Sequence, residues 1–221
     1  MADRRLTRRG LFAGLGGGVA AVALAGCGTS PDQDGPAAKV GERPGGYLAG
    51  TQVTGGPPLP DITLTDTTGA PFALAADVTT PVVLLFFGYT HCPDICPGIL
   101  ADLASARQRA GDQVSAATTV VLVSTDPARD TPEVLKKYLE RIDPSFVGLT
   151  GDLEVIRQAG MSLGITMEQT AQLPSGGYEI EHGTQVYGFG ADRTAQVLWT
   201  QGTSIGDYKE DLATLVAAQP A

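Results

Sequence analysis

Two of the chain's three cysteines, Cys92 and Cys96, stand four residues apart in the stretch FFGYTHCPDICPGIL, with His91 beside the first and prolines on both sides. Such a pair can close a disulfide, exchange electrons with a partner's thiols, or hold a metal ion. The last two need thiolate, which forms readily where helix N-terminal amides and the helix dipole meet a sulfur. A C-x-x-C pair closes a low-strain disulfide, whereas one additional residue opens the pair toward a shared ion. Bridging stays geometrically possible if the α-carbons come within about 4.4–6.8 Å. Its loop would be very short, however, and worth less than the ~3 kcal/mol of a 15-residue loop. Stapling is therefore a poor reason to place cysteines here.

Histidine is scarce: the chain has two, His91 and His182. His182 falls in YEIEHGTQVYGF, between two strand-like segments. A lone histidine there has an ordinary reading as a surface or satisfied residue. With two thiolates, its imidazole would complete a three-donor set for a soft or borderline metal, copper or zinc. Only the fold can bring it to the cysteines.

The elements that must position these groups are readable. DITLTDTTGAPFAL alternates around a Thr-Gly turn and predicts a hairpin. PVVLLFFGY is a continuous apolar run, the pattern of a strand covered on both faces. ILADLASARQRAG has helical spacing and stops at Gly111. Pro97 suits a helix's first turn, which makes Cys96 the expected N-cap and leaves Cys92 in the loop before it. TTVVLVST predicts a second buried strand. TPEVLKKYLERI opens a helix with Thr131 as N-cap and Pro132 at its first position. SFVGLTG and DLEVIRQAGMSLG add a strand and a helix. YEIEHGTQVYGFGADRTAQVLWTQG predicts two strands joined near Asp192-Arg193, and IGDYKEDLATLVAAQ a closing amphipathic helix. The order predicts an α/β fold with a mixed central sheet flanked by helices and an N-terminal β-hairpin extension. Its reactive cysteines sit at a strand-to-helix junction, the layout of a thioredoxin-like fold.

The third cysteine, Cys27, belongs to a different segment. TRRGLF places paired arginines before an uncharged run too short and too rich in Gly and Ala for a comfortable membrane span. The run ends in LAGC, so residues 1–26 have the pattern of a twin-arginine-like export signal with lipobox cleavage before Cys27. Lipidation of Cys27 would anchor the chain to the cell membrane on its extracytoplasmic side. Residues 27–46 are Gly/Pro-rich and aperiodic, a flexible tether, and residues 47–221 form one domain. The leader takes four arginines and one aspartate from a chain whose net charge is already −9. No useful basic patch remains, which argues against nucleic acid; an acidic surface suits a partner with a basic face.

Four separated stretches resemble the SCO/SenC family of copper-binding cytochrome c oxidase assembly proteins: FFGYTHCPDICP, STDPARDTPEVLKKYLERI, FVGLTGDLEVI and YEIEHGTQVYGF. The resemblance implies a thioredoxin-like domain that binds one copper ion, Cu(I) or Cu(II), through Cys92, Cys96 and His182. It implies a metallochaperone that assists assembly of the CuA centre of cytochrome c oxidase subunit II, supplied by other copper donors or thiol reductants. The alternative it carries is a thiol-disulfide oxidoreductase keeping that subunit's cysteines reduced, with Cys92 and Cys96 as the redox pair. Glu181 stands where the family often has Asp, so a carboxylate orienting the imidazole would do so differently. The turn after the distal strand lacks the family's Asp-x-x-Gly pattern, a hairpin variation. His91 is expected as a loop residue, and Asp126 and Asp130 as capping or bracing groups next to the site.

Overall fold

The computed structural model describes residues 48–170 and 177–220. The expected export signal, Cys27 and the expected tether lie outside the described residues. Ten strands and six helices follow in chain order: β1 Thr51–Gln52, β2 Thr63–Asp66, β3 Pro71–Ala73, α1 Leu74–Asp77, β4 Val82–Gly88, α2 Ile95–Ala110, α3 Asp112–Ala116 and β5 Thr118–Ser124, then α4 Pro132–Leu139, β6 Val147–Thr150, α5 Leu153–Ser162, β7 Met167–Gln169, β8 Ile180–His182, β9 Val186–Phe189, β10 Ala195–Trp199 and α6 Ile205–Ala217.

Eight strands form one sheet in the order β1-β10-β9-β4-β5-β6-β2-β3. β4, β5 and β6 run parallel, while β9 lies antiparallel to β4. Every residue of β4 is buried, because alternate side chains enter two different cores. Val82, Leu84 and Phe86 pack with Ile99, Leu100 and Leu103 of α2, Leu135 of α4 and Leu212 of α6. Val83, Leu85 and Phe87 pack on the opposite face with Ile156 of α5 and Leu74 of α1. A strand clamped between two cores holds its end firmly, and the cysteine loop begins at that end.

Most expected elements are present: the turn of the β2–β3 hairpin, the Gly111 stop at φ 95°, and the Thr131 cap, whose side chain accepts from the Val134 amide. The N-terminal hairpin extends the central sheet, since β2 pairs antiparallel with β6. Two expectations change. The segment around His182 makes three strands rather than two. VYGF is wholly buried and joins the sheet as β9, whereas Ile180–His182 is half-exposed and cannot occupy a central position. It pairs with β7 instead, as a separate two-stranded sheet.

The second change concerns Cys96, which is not the N-cap. Asp94 takes that place, and Cys96 and Pro97 are the second and third residues of α2. The first four amides of a helix have no intrahelical acceptor, so proline fits anywhere in the first turn. Its presence therefore could not fix the cap to one residue. None of the helices among the described residues is long and apolar enough to cross a membrane.

Candidate metal centre

Cys92 lies in the loop between β4 and α2, its amide donating to the Tyr89 carbonyl. Asp94 makes no side-chain cap; the Cys92 sulfur fills that role, accepting from the Cys96 amide at 3.3 Å. Cys96 is fully buried beneath it, while Cys92 is half-buried and reaches the surface. Both sulfurs are free thiol groups rather than a disulfide.

This arrangement splits the pair. The Cys92 thiol is pulled down to about 4, chiefly by the hydrogen bond it receives from the Cys96 thiol and also by the Cys96 and Asp94 amides. The Cys96 thiol is pushed up, because it donates to its neighbour and is desolvated. One thiolate and one thiol thus share a proton-poor corner of the fold.

The third group arrives from β8. Residue 182 faces Met167 in the β7–β8 pairing, and its imidazole is held edge-on between Phe86, with ring centres 6.1 Å apart, and Tyr89, 5.8 Å away. Nδ1 lies 2.9 Å from the Gly183 carbonyl. A carbonyl can only accept, so Nδ1 carries the proton and Nε2 presents a lone pair. That Nε2 sits 3.5 Å from the Cys96 sulfur. The donor atoms of Cys92, Cys96 and His182 all lie within 4.8 Å of one another. Donors ~2.0–2.3 Å from a common ion are at most ~4.6 Å apart, so the three need little movement to share one. Two sulfurs and one imidazole nitrogen suit copper or zinc; the soft pair favours Cu(I) and the imidazole helps to hold Cu(II).

The site opens into a cleft of about 490 Å³ lined by Tyr89, Cys92, Pro93, Ile180 and His182, with Asp94, Glu179 and Glu181 also at its wall. Glu181 is exposed, and the backbone of Gly183 rather than that carboxylate orients the imidazole. The Glu-for-Asp departure therefore leaves the ring's tautomer intact. His91 turns away from the sulfurs, its Nδ1 3.1 Å from the Thr90 hydroxyl and 3.7 Å from Asp130.

Asp126 and Asp130 brace the site from behind. Asp130 is fully buried and accepts from the Thr90 amide and hydroxyl and from the Ser124 hydroxyl. It ties the cysteine loop to the end of β5 and is not the cap of α4. Asp126 accepts from the Tyr178 hydroxyl at 2.8 Å and from Arg129 Nε. Spacing alone does not single out Tyr89, Tyr178 or Arg129. A period-two reading of Tyr178, Ile180 and His182 would have put all three on one strand face.

The family model described as SCO1/SenC matches residues 57–217. Protein SCO1 homolog 1, mitochondrial, of Arabidopsis thaliana is 33% identical over 128 residues, 54% of this chain and 38% of that protein. The chain spans less than two thirds of the length of the curated relatives it matches. Among solved structures, apo Sco1 of Thermus thermophilus is 32% identical with a TM-score of 0.63, covering 77% of this chain and 94% of that one. Copper-bound ScoI of Bradyrhizobium japonicum is 28% identical with a TM-score of 0.63, covering 72% and 98%. The fold is thioredoxin-like.

Proposed function

This chain belongs to the SCO1/SenC family, and from that footing we propose that it is a membrane-anchored copper metallochaperone. It carries one copper ion on Cys92, Cys96 and His182 and assists assembly of the CuA centre of cytochrome c oxidase subunit II. The observation that carries the reading is the convergence of two sulfurs and a tautomer-fixed imidazole within 4.8 Å, beside a cleft that Cys92 and His182 line. The copper bound to the Bradyrhizobium japonicum relative supports it.

The chemistry of delivery follows from the donor set. Cys92 supplies a thiolate without a further proton being removed, while Cys96 gives up its proton as the ion binds. Three protein donors leave a coordination position facing the cleft. An incoming thiolate or imidazole of the recipient takes that position first, and the donors of this chain then leave one at a time. No electron moves in such an exchange. In this proposal residues 1–26 are removed as the export signal, Cys27 carries the lipid anchor, residues 27–46 are the tether, and residues 47–221 work on the extracytoplasmic face.

Mixing the copper-loaded chain with the apo CuA domain of subunit II tests this. CuA absorbance should develop with the wild type and not with Cys92→Ser or Cys96→Ser. Copper that stays on the wild-type chain overturns the delivery reading.

The split between Cys92 and Cys96 favours a second reading, a thiol-disulfide reductase. The Cys92 thiolate attacks a partner disulfide and forms a mixed disulfide. Cys96, losing its proton, then attacks Cys92 and releases the partner as a dithiol. The chain is left with a Cys92–Cys96 disulfide that an external dithiol reductant must reset. His182→Ala separates the readings, because it removes a copper donor and leaves both sulfurs.

A further inference from the structure

The strand that brings His182 to the sulfurs is weakly supported by its own pairing. β7 and β8 make a two-stranded sheet of three residues each, apart from the central sheet. An isolated pair of that kind is marginal in water. What holds it converges on Arg129. The guanidinium carbon lies 3.7 Å from the centre of the Tyr178 ring and 5.7 Å from that of Tyr89. Its Nε donates to Asp126, whose other carboxylate oxygen accepts from the Tyr178 hydroxyl. Tyr89 closes the circuit, since its hydroxyl accepts from the Ile180 amide at 3.3 Å and its ring edge meets His182.

We propose that Arg129 is a positioning residue for the metal centre: in contact with the rings of Tyr178 and Tyr89 and paired with Asp126, it clasps the β8 strand so that His182 Nε2 faces the two sulfurs. The inference rests on His182 being a copper donor. It assigns to Arg129 and Tyr178 a role exerted through that imidazole rather than through the stability of the domain. The geometry favours this division. Of its partners, Tyr89 belongs to the first core and stands at the start of the cysteine loop, whereas the ring four residues before His182 and the Asp126 carboxylate belong to neither hydrophobic core. Two cation–π contacts and a charge-assisted hydrogen bond suffice to fix one short strand.

The full chain should be prepared as Arg129→Ala, Tyr178→Ala, His182→Ala and the double variant Arg129→Ala/His182→Ala. In the copper-free protein, Arg129→Ala should abolish the slow hydrogen exchange of the Ile180 amide while the amides of β4 and β5 stay protected. With Cu(II), Arg129→Ala and Tyr178→Ala should both lose the nitrogen splitting in the electron paramagnetic spectrum and bind about 10–100-fold more weakly. The double variant should bind no more weakly than His182→Ala alone, because residues acting through one group are not additive.

Additive losses, or nitrogen splitting retained in both Arg129→Ala and Tyr178→Ala, overturn the proposal and leave the three-donor site standing. A wild-type spectrum in His182→Ala itself overturns the donor reading and this inference with it. Should Arg129→Ala lose β4 and β5 protection as well, its role is general stability and the proposal fails.

Discussion

Cys92 and Cys96 meet the same helix N-terminus from different sides. Cys92 stands in front of it and collects hydrogen bonds; Cys96 is inside the first turn, with its amide pointing at the other sulfur. Of the two, Cys92 should be the nucleophile. In the reduced, metal-free protein, iodoacetamide should label Cys92 with a pH midpoint far below the ~8.5 of an ordinary thiol, and Cys96 should stay unlabelled at neutral pH. Equal labelling of both would contradict this. The linkage has a definite sign: the folded value of Cys92 is lowered, so its stabilisation is complete above the unfolded pKa and is lost as pH falls toward about 4. Cys92→Ala should therefore flatten the stability profile on the acid side of neutrality. The sequence pointed to a thiolate-favouring junction through Pro97, but it could not say which sulfur would be the thiolate. That depends on a two-residue shift of the cap.

At the scale of elements, the site is a meeting of two loops that leave rigid strands with the short strand β8. β4 ends at Gly88, where an added methyl would lie 3.2 Å from the Cys96 sulfur and 2.8 Å from the Phe86 ring. Gly88→Ala should displace that sulfur and shift the sulfur-to-Cu(II) absorption while the protein stays folded. β5 ends at Ser124, and Asp130 beyond it holds Thr90 in the cysteine loop. Asp130→Ala orphans three donors, and burying an unsatisfied donor costs about 1–3 kcal/mol. The urea midpoint should fall, with an unchanged m-value, by the equivalent of at least ~2 kcal/mol. The buried strands and the helices were legible from periodicity, because burial on one face or two writes itself into the pattern. β8 was not. A three-residue, half-exposed strand has too few positions for a period, and its partner β7 carries no turn signal of its own. The joining of β2 to β6 is likewise a pairing choice between distant segments, which local patterns do not encode.

Across the whole molecule, some residues that stabilise the domain stand apart from the metal centre. Asp211 of α6 is buried and accepts from the Ala49 and Gly50 amides and from Trp199 Nε1 at 2.7 Å. It fastens the first described residues, through which the tether would enter, to α6 and β10. Asp211→Ala should lower stability by on the order of 3 kcal/mol, read as a fall in Tm, with copper stoichiometry and spectrum as in the wild type. The site itself draws on residues 86–96, 124–130 and 178–183, three stretches that lie far apart in the chain and close together in the fold. Their residue types were visible in the sequence, and the resemblance to the SCO/SenC family tied them to one another; their distances were not visible. The central claim is that Cys92, Cys96 and His182 bind one ion together, and X-ray absorption on the reduced full chain loaded with one equivalent of copper tests it most directly. The account predicts a one-to-one complex with two sulfurs and one nitrogen in the first shell of Cu(II), the nitrogen disappearing in His182→Ala. A shell of the same composition and affinity in wild type and His182→Ala would contradict it.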